Sequence, residues 1–284
     1  MADTSIEWTD KVWNPVTGCS KVSQGCKHCY AETIANRFWG ERKFTDVQCH
    51  PERLDEPSKW RKPAKVFVNS MSDLFHEDVP DKFIDQVFAM MYRAKQHTFQ
   101  VLTKRPARML EYFRRFEIGK NNIIGHDVDR VDRIGYAAGE TYGSSNLFLP
   151  LPNVWLGVSV ENQRAADERI PLLLQTPAAV RFVSCEPLLG AIDLEPFYLD
   201  NIHGGLSLYL DWLIVGGESG AGARPMQESW VRSIVQQCQA ASVPVFVKQM
   251  GSVWAKERYI PTKSKKGGDI QDFPVDLQIR EFPQ

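Results

Sequence analysis

Six short runs of β-branched and other apolar residues recur along this chain, and each ends in glycine or a polar residue: KVFVNS (65–70), TFQVLT (98–103), VWLGVSV (154–160), VRFVSC (180–185), WLIVGG (212–217) and VPVFVK (243–248). Continuous apolar runs of that length suit strands buried on both faces. Helical patterns lie between several of them: 80–96, 106–117, 161–175 with Pro171 as an interruption, and 226–241. Strand, helix, strand repetition implies right-handed crossovers and a parallel sheet, so the class is α/β. If a weakly marked strand precedes residue 14, the count reaches about seven, which fits a partial or complete parallel (β/α) barrel.

In either a barrel or an open doubly wound sheet, the chemistry sits on the loops after the strands. Those loops read SMSDLFHED, TKRP, VEN, CEPLLG, GGESG and KQMG, and each carries polar or charged groups. This loop pattern is common to both architectures. Two regions break the alternation. Residues 119–152 form a long insertion, expected to be a lid or substrate-facing subdomain. Residues 255–284 are basic and then acidic without a strong period, and are expected to be a tail following a 1–254 barrel.

The N-terminal residues carry acids and no apolar core of a signal peptide, and no run reaches the roughly 18 to 20 apolar residues of a membrane span. A soluble, cytoplasmic protein without membrane partners is therefore expected. The formal net charge of -1 excludes a uniformly basic nucleic-acid coat. Two segments are locally basic, TKRPARMLEYFRRF (103–116) and AKERYIPTKSKKGG (255–268). The first mixes arginine with aromatics, so Arg105, Arg108, Arg114 and Arg115 would grip a nucleic-acid backbone while Tyr112 and Phe113 stack on bases. A helix with a solvated basic face is the competing reading.

Three of the six cysteines, Cys19, Cys26 and Cys29, fall within eleven residues of the segment 14–32. In a reducing compartment such a group points to metal binding rather than disulfides. A structural zinc site closes with four ligands, and His28, Cys49 or His50 would have to complete it. The alternative is an iron–sulfur cubane on three thiolates with one iron left open. His76, His97, His126 and His203 show no metal-ligand spacing and are expected to be structural or exposed.

The pattern WNPVTGCSKVSQGCKHCYAE, with VFVNSMSDLFHEDVP and GGESG further on, resembles the radical S-adenosylmethionine (SAM) superfamily, and within it a phage-associated group of radical-SAM-like proteins. The resemblance runs from Trp8 to Trp254 and is most specific in the first forty residues. Its Cys-x6-Cys-x2-Cys spacing departs from the superfamily's usual Cys-x3-Cys-x2-Cys. The resemblance implies a barrel of the radical SAM type, a 4Fe-4S cluster on Cys19, Cys26 and Cys29, and SAM on the open iron. It further implies reductive cleavage of SAM to a 5'-deoxyadenosyl radical, with a flavodoxin- or ferredoxin-like electron donor.

By the same resemblance Ser70, Ser72 and Asp73 stand where the SAM ammonium binds, Lys104 would meet its carboxylate, and Ser159 and Glu161 its ribose. Helix-start acids are the bland reading of Asp73 and Glu161. Glu186 and Glu218 lie at neighbouring strand ends and are candidates to face the substrate. A thiol at a strand end, Cys185, would donate hydrogen to a substrate radical, against the common role of a buried core cysteine. A nucleic acid or nucleotide, or else a peptide, is the expected substrate. The competing function class is a noncatalytic interaction module stapled by zinc or an iron–sulfur cluster.

Overall fold

The computed structural model describes residues 4–121, 130–139, 149–198, 209–258 and 264–284, the side chains of 115–121, 130 and 131 excepted. Seven strands form one sheet: β1 (Lys11–Trp13), β2 (Lys65–Val68), β3 (Thr98–Thr103), β4 (Val154–Ser159), β5 (Val180–Cys185), β6 (Trp212–Gly216) and β7 (Val245–Gln249). Their order in the sheet is their order in the chain, and the β1–β2, β2–β3, β5–β6 and β6–β7 pairs are parallel. A doubly wound sheet reverses its order at a switch point. This one does not, which is compatible with a partial (β/α) barrel. The strand expected before the cysteine segment is β1, only three residues long.

By its internal packing the chain divides into two compact units. The first comprises residues 1–20, 31–156 and 175–179. Its strands β1 to β3 carry Trp13, Val66, Val68, Phe99 and Val101 into a core where none is exposed. Helix α1 (Tyr30–Phe38) follows the cysteine segment. Helix α2 (Asp81–Arg93) starts beside Pro80 with an acid in its first turn and ends on Arg93, matching its dipole. Phe83, Ile84, Val87, Phe88 and Met91 recur at helical spacing and bury one face of it.

Helix α3 (Pro106–Asn121) opens on a proline, where the missing N–H costs nothing. Its Tyr112 and Phe113 are buried in an aromatic cluster with Phe88, and the Tyr112 hydroxyl donates to Asp85 Oδ1 at 2.8 Å. Arg108 pairs with Asp81 and Arg114 donates to Gln175. The expected base-stacking groove on this segment is thereby overturned. Its aromatics serve the core, and Arg108 and Arg114 bind neighbouring side chains. Within the 119–152 insertion, helix α4 (Arg130–Ala137) packs on α2 and α3 and buries Ile134, so this described part joins the helical layer. Half of the insertion, with His126, lies outside the described residues, as does His203.

The second unit comprises 21–30, 157–174 and 180–284. Phe182, Trp212 and Phe246 fill the interior of β5 to β7. Gly157 is required there, because a Cβ would stand 2.6 Å from the Phe182 ring. Helix α5 (Gln163–Leu174) runs through Pro171 rather than breaking at it. The lost hydrogen bond is offset by the burial of Ile170, Leu173 and Leu174 around it.

Helix α6 (Glu228–Ala240) buries Val231, Ile234, Val235 and Cys238, and the short α7 (Ser252–Glu257) follows β7. Residues 264–284, within the segment expected to be a tail, belong to this unit. Val247 N–H donates to Ile279 O, Glu281 N–H to Val245 O, and Phe282 stacks on Trp212. The segment covers the backbone edge that β7 would otherwise expose. No helix among the described residues is long and apolar enough to cross a membrane.

Candidate functional site

In the first unit the loop after β1 is laced to the loop after β2 by two asparagines. Asn14 Oδ1 accepts from Met71 N–H at 3.0 Å and from the Ser70 hydroxyl at 3.2 Å. Asn69, in the left-handed region at φ 61°, accepts from Val16 N–H at 3.1 Å. Ser72 donates to Val16 O at 2.8 Å. Gly18 has φ +93°, and a Cβ there would meet Asp46 O at 2.4 Å, so only glycine permits this approach. Cys19 follows with its N–H on Phe44 O at 2.8 Å. The residues expected to bind the SAM ammonium, Ser70 and Ser72, thus hold the backbone that presents Cys19.

Asp73 is 5% exposed, and four donors reach its carboxylate. Oδ1 accepts from Phe75 N–H at 3.0 Å and the Thr103 hydroxyl at 2.7 Å. Oδ2 accepts from Lys104 N–H at 3.0 Å and Arg105 Nη1 at 3.3 Å. An ionised carboxylate offers about four such places. Asp73 therefore organises the loop after β3, where Lys104 is half-buried and Arg105 turns toward the cysteine.

Arg105 Nη1 stands 3.5 Å from the Cys19 sulfur, and Nη2 donates to the Ser20 hydroxyl at 2.7 Å and its carbonyl at 3.2 Å. Its Nε donates to Glu77 at 2.9 Å. Burial opposes the Arg105 charge, but Asp73, the Cys19 sulfur and Glu77 outweigh it and raise its pKa. His76 hydrogen-bonds the Ser20 hydroxyl through Nε2 at 2.8 Å. Burial and the Arg105 charge lower its pKa.

In the second unit Glu218 is the hub. It accepts from Arg224 Nη2 at 2.5 Å, Nε at 2.9 Å and backbone N–H at 2.8 Å, and contacts His28 Nδ1 at 3.1 Å. Burial would raise its pKa, but the Arg224 and His28 hydrogen bonds prevail and hold it at about 2. Arg224 Nη1 also donates to Gln24 O at 3.0 Å, fixing the turn before Cys26. Cys26 lies 4.0 Å from the Ser23 hydroxyl. The same unit has an open cavity of about 680 Å³ lined by Gly220, Gly222, Ser252 and Lys256.

Glu161 is 1% exposed and pairs with Arg169 at 3.0 Å, while Gly25 N–H donates to it at 3.4 Å. Ser159 donates to Glu186 O at 3.2 Å. Glu186 in turn binds Lys248 Nζ at 2.6 and 2.8 Å. The expected ribose ligands and substrate-facing acids are thus linked into protein networks. Cys185 is fully buried, and burial, with Cys238 nearby, pushes its thiol pKa far up. That is the environment of a protonated core cysteine.

None of the six cysteines is in a disulfide, and Cys19, Cys26 and Cys29 are half-buried. Among the described residues no group of three or more His, Cys, Asp or Glu side chains is arrayed to hold a metal. By donor chemistry, the first unit presents Cys19 with a fixed cation at its sulfur, and the second presents Cys26 and Cys29 as half-buried thiols. The zinc completions divide. Nδ1 of His28 is on Glu218, an arrangement compatible with a metal at Nε2. His50 is engaged at both nitrogens, by Thr17 at 2.7 Å and Glu52 at 3.0 Å. Cys49 pairs in a short antiparallel strand with Val16, and burial raises its thiol pKa.

Sequence reasoning missed the roles of Arg105, Arg169 and Arg224. Arg105 carried a signal, since it follows Lys104 in the loop after β3. Arg169 and Arg224 carried none beyond lying on the elements that follow Glu161 and Glu218. No curated protein and no solved structure matches the chain. The sequence pattern of one family matches residues 3–275, and the chain belongs to that family, described as Protein of unknown function (DUF5131).

Proposed function

We propose that this protein is an iron–sulfur enzyme of the radical SAM type, with Cys19, Cys26 and Cys29 holding a 4Fe-4S cluster. The observation that carries the reading is the contrast among its thiols. The three in the segment after β1 are half-buried, as is Cys49, and Cys19 is met by a guanidinium, whereas Cys185 and Cys238 are sealed in the core. Cys19, Cys26 and Cys29 would hold the cluster, and the chemistry it would supply with SAM is one-electron reduction of the sulfonium, a source of methionine and a hydrogen-abstracting 5'-deoxyadenosyl radical.

The chain's own residues bind and orient. Lys104 offers its ammonium to the SAM carboxylate, and Asp73 fixes the loop that carries it. Gly25, against Glu161, sets the backbone before Cys26. A flavodoxin- or ferredoxin-like protein is the electron donor in this reading. With Tyr112 and Phe113 in the core, the argument for a base-stacking substrate falls away, and the proposal ends at hydrogen abstraction. Anaerobic reconstitution with iron and sulfide tests it. Cluster stoichiometry with broad visible absorbance is expected. Stoichiometric zinc in a colourless purified protein would overturn it in favour of a metal-stapled module.

A further inference from the structure

Arg105 is held on every side of its guanidinium. Nε is on Glu77, Nη2 on the Ser20 hydroxyl and carbonyl, and Nη1 lies between Asp73 at 3.3 Å and the Cys19 sulfur at 3.5 Å. The side chain is 8% exposed and Asp73 7%, so water screens this charge little. Asp73 is itself immobilised by three further donors, from Phe75, Thr103 and Lys104. A planar fork can meet this many acceptors at once, whereas an ammonium cannot.

We propose that Arg105 is a positioning residue that sets the reduction potential of the cluster, by fixing a positive charge and an N–H donor against the Cys19 sulfur. The inference rests on the cluster reading above and deepens it. Reduction adds negative charge to the cluster and its ligand sulfurs. A nearby cation and a hydrogen bond to sulfur both favour the reduced form, and such contacts are among the determinants of iron–sulfur potentials. Asp73 and Glu77 stand beside Arg105 in wild type and variants alike, so exchanging the guanidinium isolates its own charge and N–H donor. The net effect of Arg105 is thus to ease one-electron reduction.

The experiment is an anaerobic redox titration, read by visible absorbance and by the spin signal of the reduced cluster, on protein reconstituted with iron and sulfide. Wild type is compared with Arg105→Gln and Arg105→Lys. The equilibrium constant for reduction should fall about tenfold in Arg105→Gln, a shift of ~59 mV to lower potential for a one-electron couple. Arg105→Lys keeps the charge but loses the fork, and should fall between. Equal potentials in all three loaded proteins would overturn the inference and leave the cluster reading intact. A wild type that takes up no iron and sulfide would overturn both. If Arg105→Gln does not load, Arg105→Lys decides alone: a lower potential supports the tuning role and an unchanged one rejects it.

Discussion

Each unit fixes its own part of the cysteine segment with an arginine anchored on a buried carboxylate, but the two clamps differ in what the arginine touches. In the first unit Arg105, anchored by Asp73, reaches the Cys19 sulfur and the Ser20 backbone. In the second Arg224, anchored by Glu218, reaches only the Gln24 carbonyl, and Glu218 takes His28 as well. Side-chain exposure is 8% for Arg105 and 24% for Arg224. A charge buried against sulfur alters the electronic state of that sulfur, whereas a half-exposed charge on a carbonyl only shapes backbone. Under the proposed function the first clamp would tune a ligand sulfur, while the second holds backbone.

The largest effect should come from the thiols that both clamps present. Cys19→Ala, Cys26→Ala and Cys29→Ala should each abolish iron and sulfide uptake, while Cys49→Ala, Cys185→Ala and Cys238→Ala retain it, measured by iron and sulfide content after reconstitution. Iron retained in Cys26→Ala would break the comparison, since the second clamp would then present no ligand.

Next in size is the removal of an anchor. Asp73→Asn leaves Arg105 with only the exposed Glu77 as a carboxylate partner and should cost about 3 kcal/mol, read from urea unfolding. Lys104→Ala should leave stability nearly untouched and weaken SAM binding by roughly ten- to a hundredfold, about 1.5 to 3 kcal/mol, by calorimetry on the reconstituted protein. Unchanged affinity would make Lys104 a solvated loop residue.

Glu218→Gln should cost less, about 1 to 2 kcal/mol, because Arg224 is better solvated. Its pH dependence sharpens the contrast. The Glu218 carboxyl is held at about 2, below its ordinary 4.5. Its stabilisation is therefore full above pH 4.5 and is lost as pH falls toward 2. The stability gap between wild type and Glu218→Gln should narrow across that window in acid unfolding. Equal costs for Asp73→Asn and Glu218→Gln would mean that the clamps do not differ.

The strands β2 to β7 were legible because burial on both faces leaves continuous apolar runs, as in VRFVSC and WLIVG. The three residues of β1 were too few to show a pattern, and its place had to be supplied from the strand count. Helical period placed α3 well but not its surroundings. Tyr112 and Arg108 sit four apart in either reading, and only the packing of Phe88 and Asp81 against them decides between core and groove.

The role of Asp73 was hidden because its donors include residues about thirty positions away, at 103 to 105. The C-terminal segment pairs with β7 through its backbone, which no side-chain period records. The cysteine trio was visible because ligand chemistry resides in residue type and spacing. What surrounds each sulfur comes from loops far apart in the chain.

The central claim is that the trio supports reductive cleavage of SAM. The most direct measurement incubates reconstituted wild type anaerobically with SAM and dithionite and quantifies 5'-deoxyadenosine and methionine by chromatography, with Cys26→Ala as control. The account predicts both products in equal amounts from wild type and neither from Cys26→Ala. A fully loaded cluster that leaves SAM intact, or equal product from the control, would contradict it.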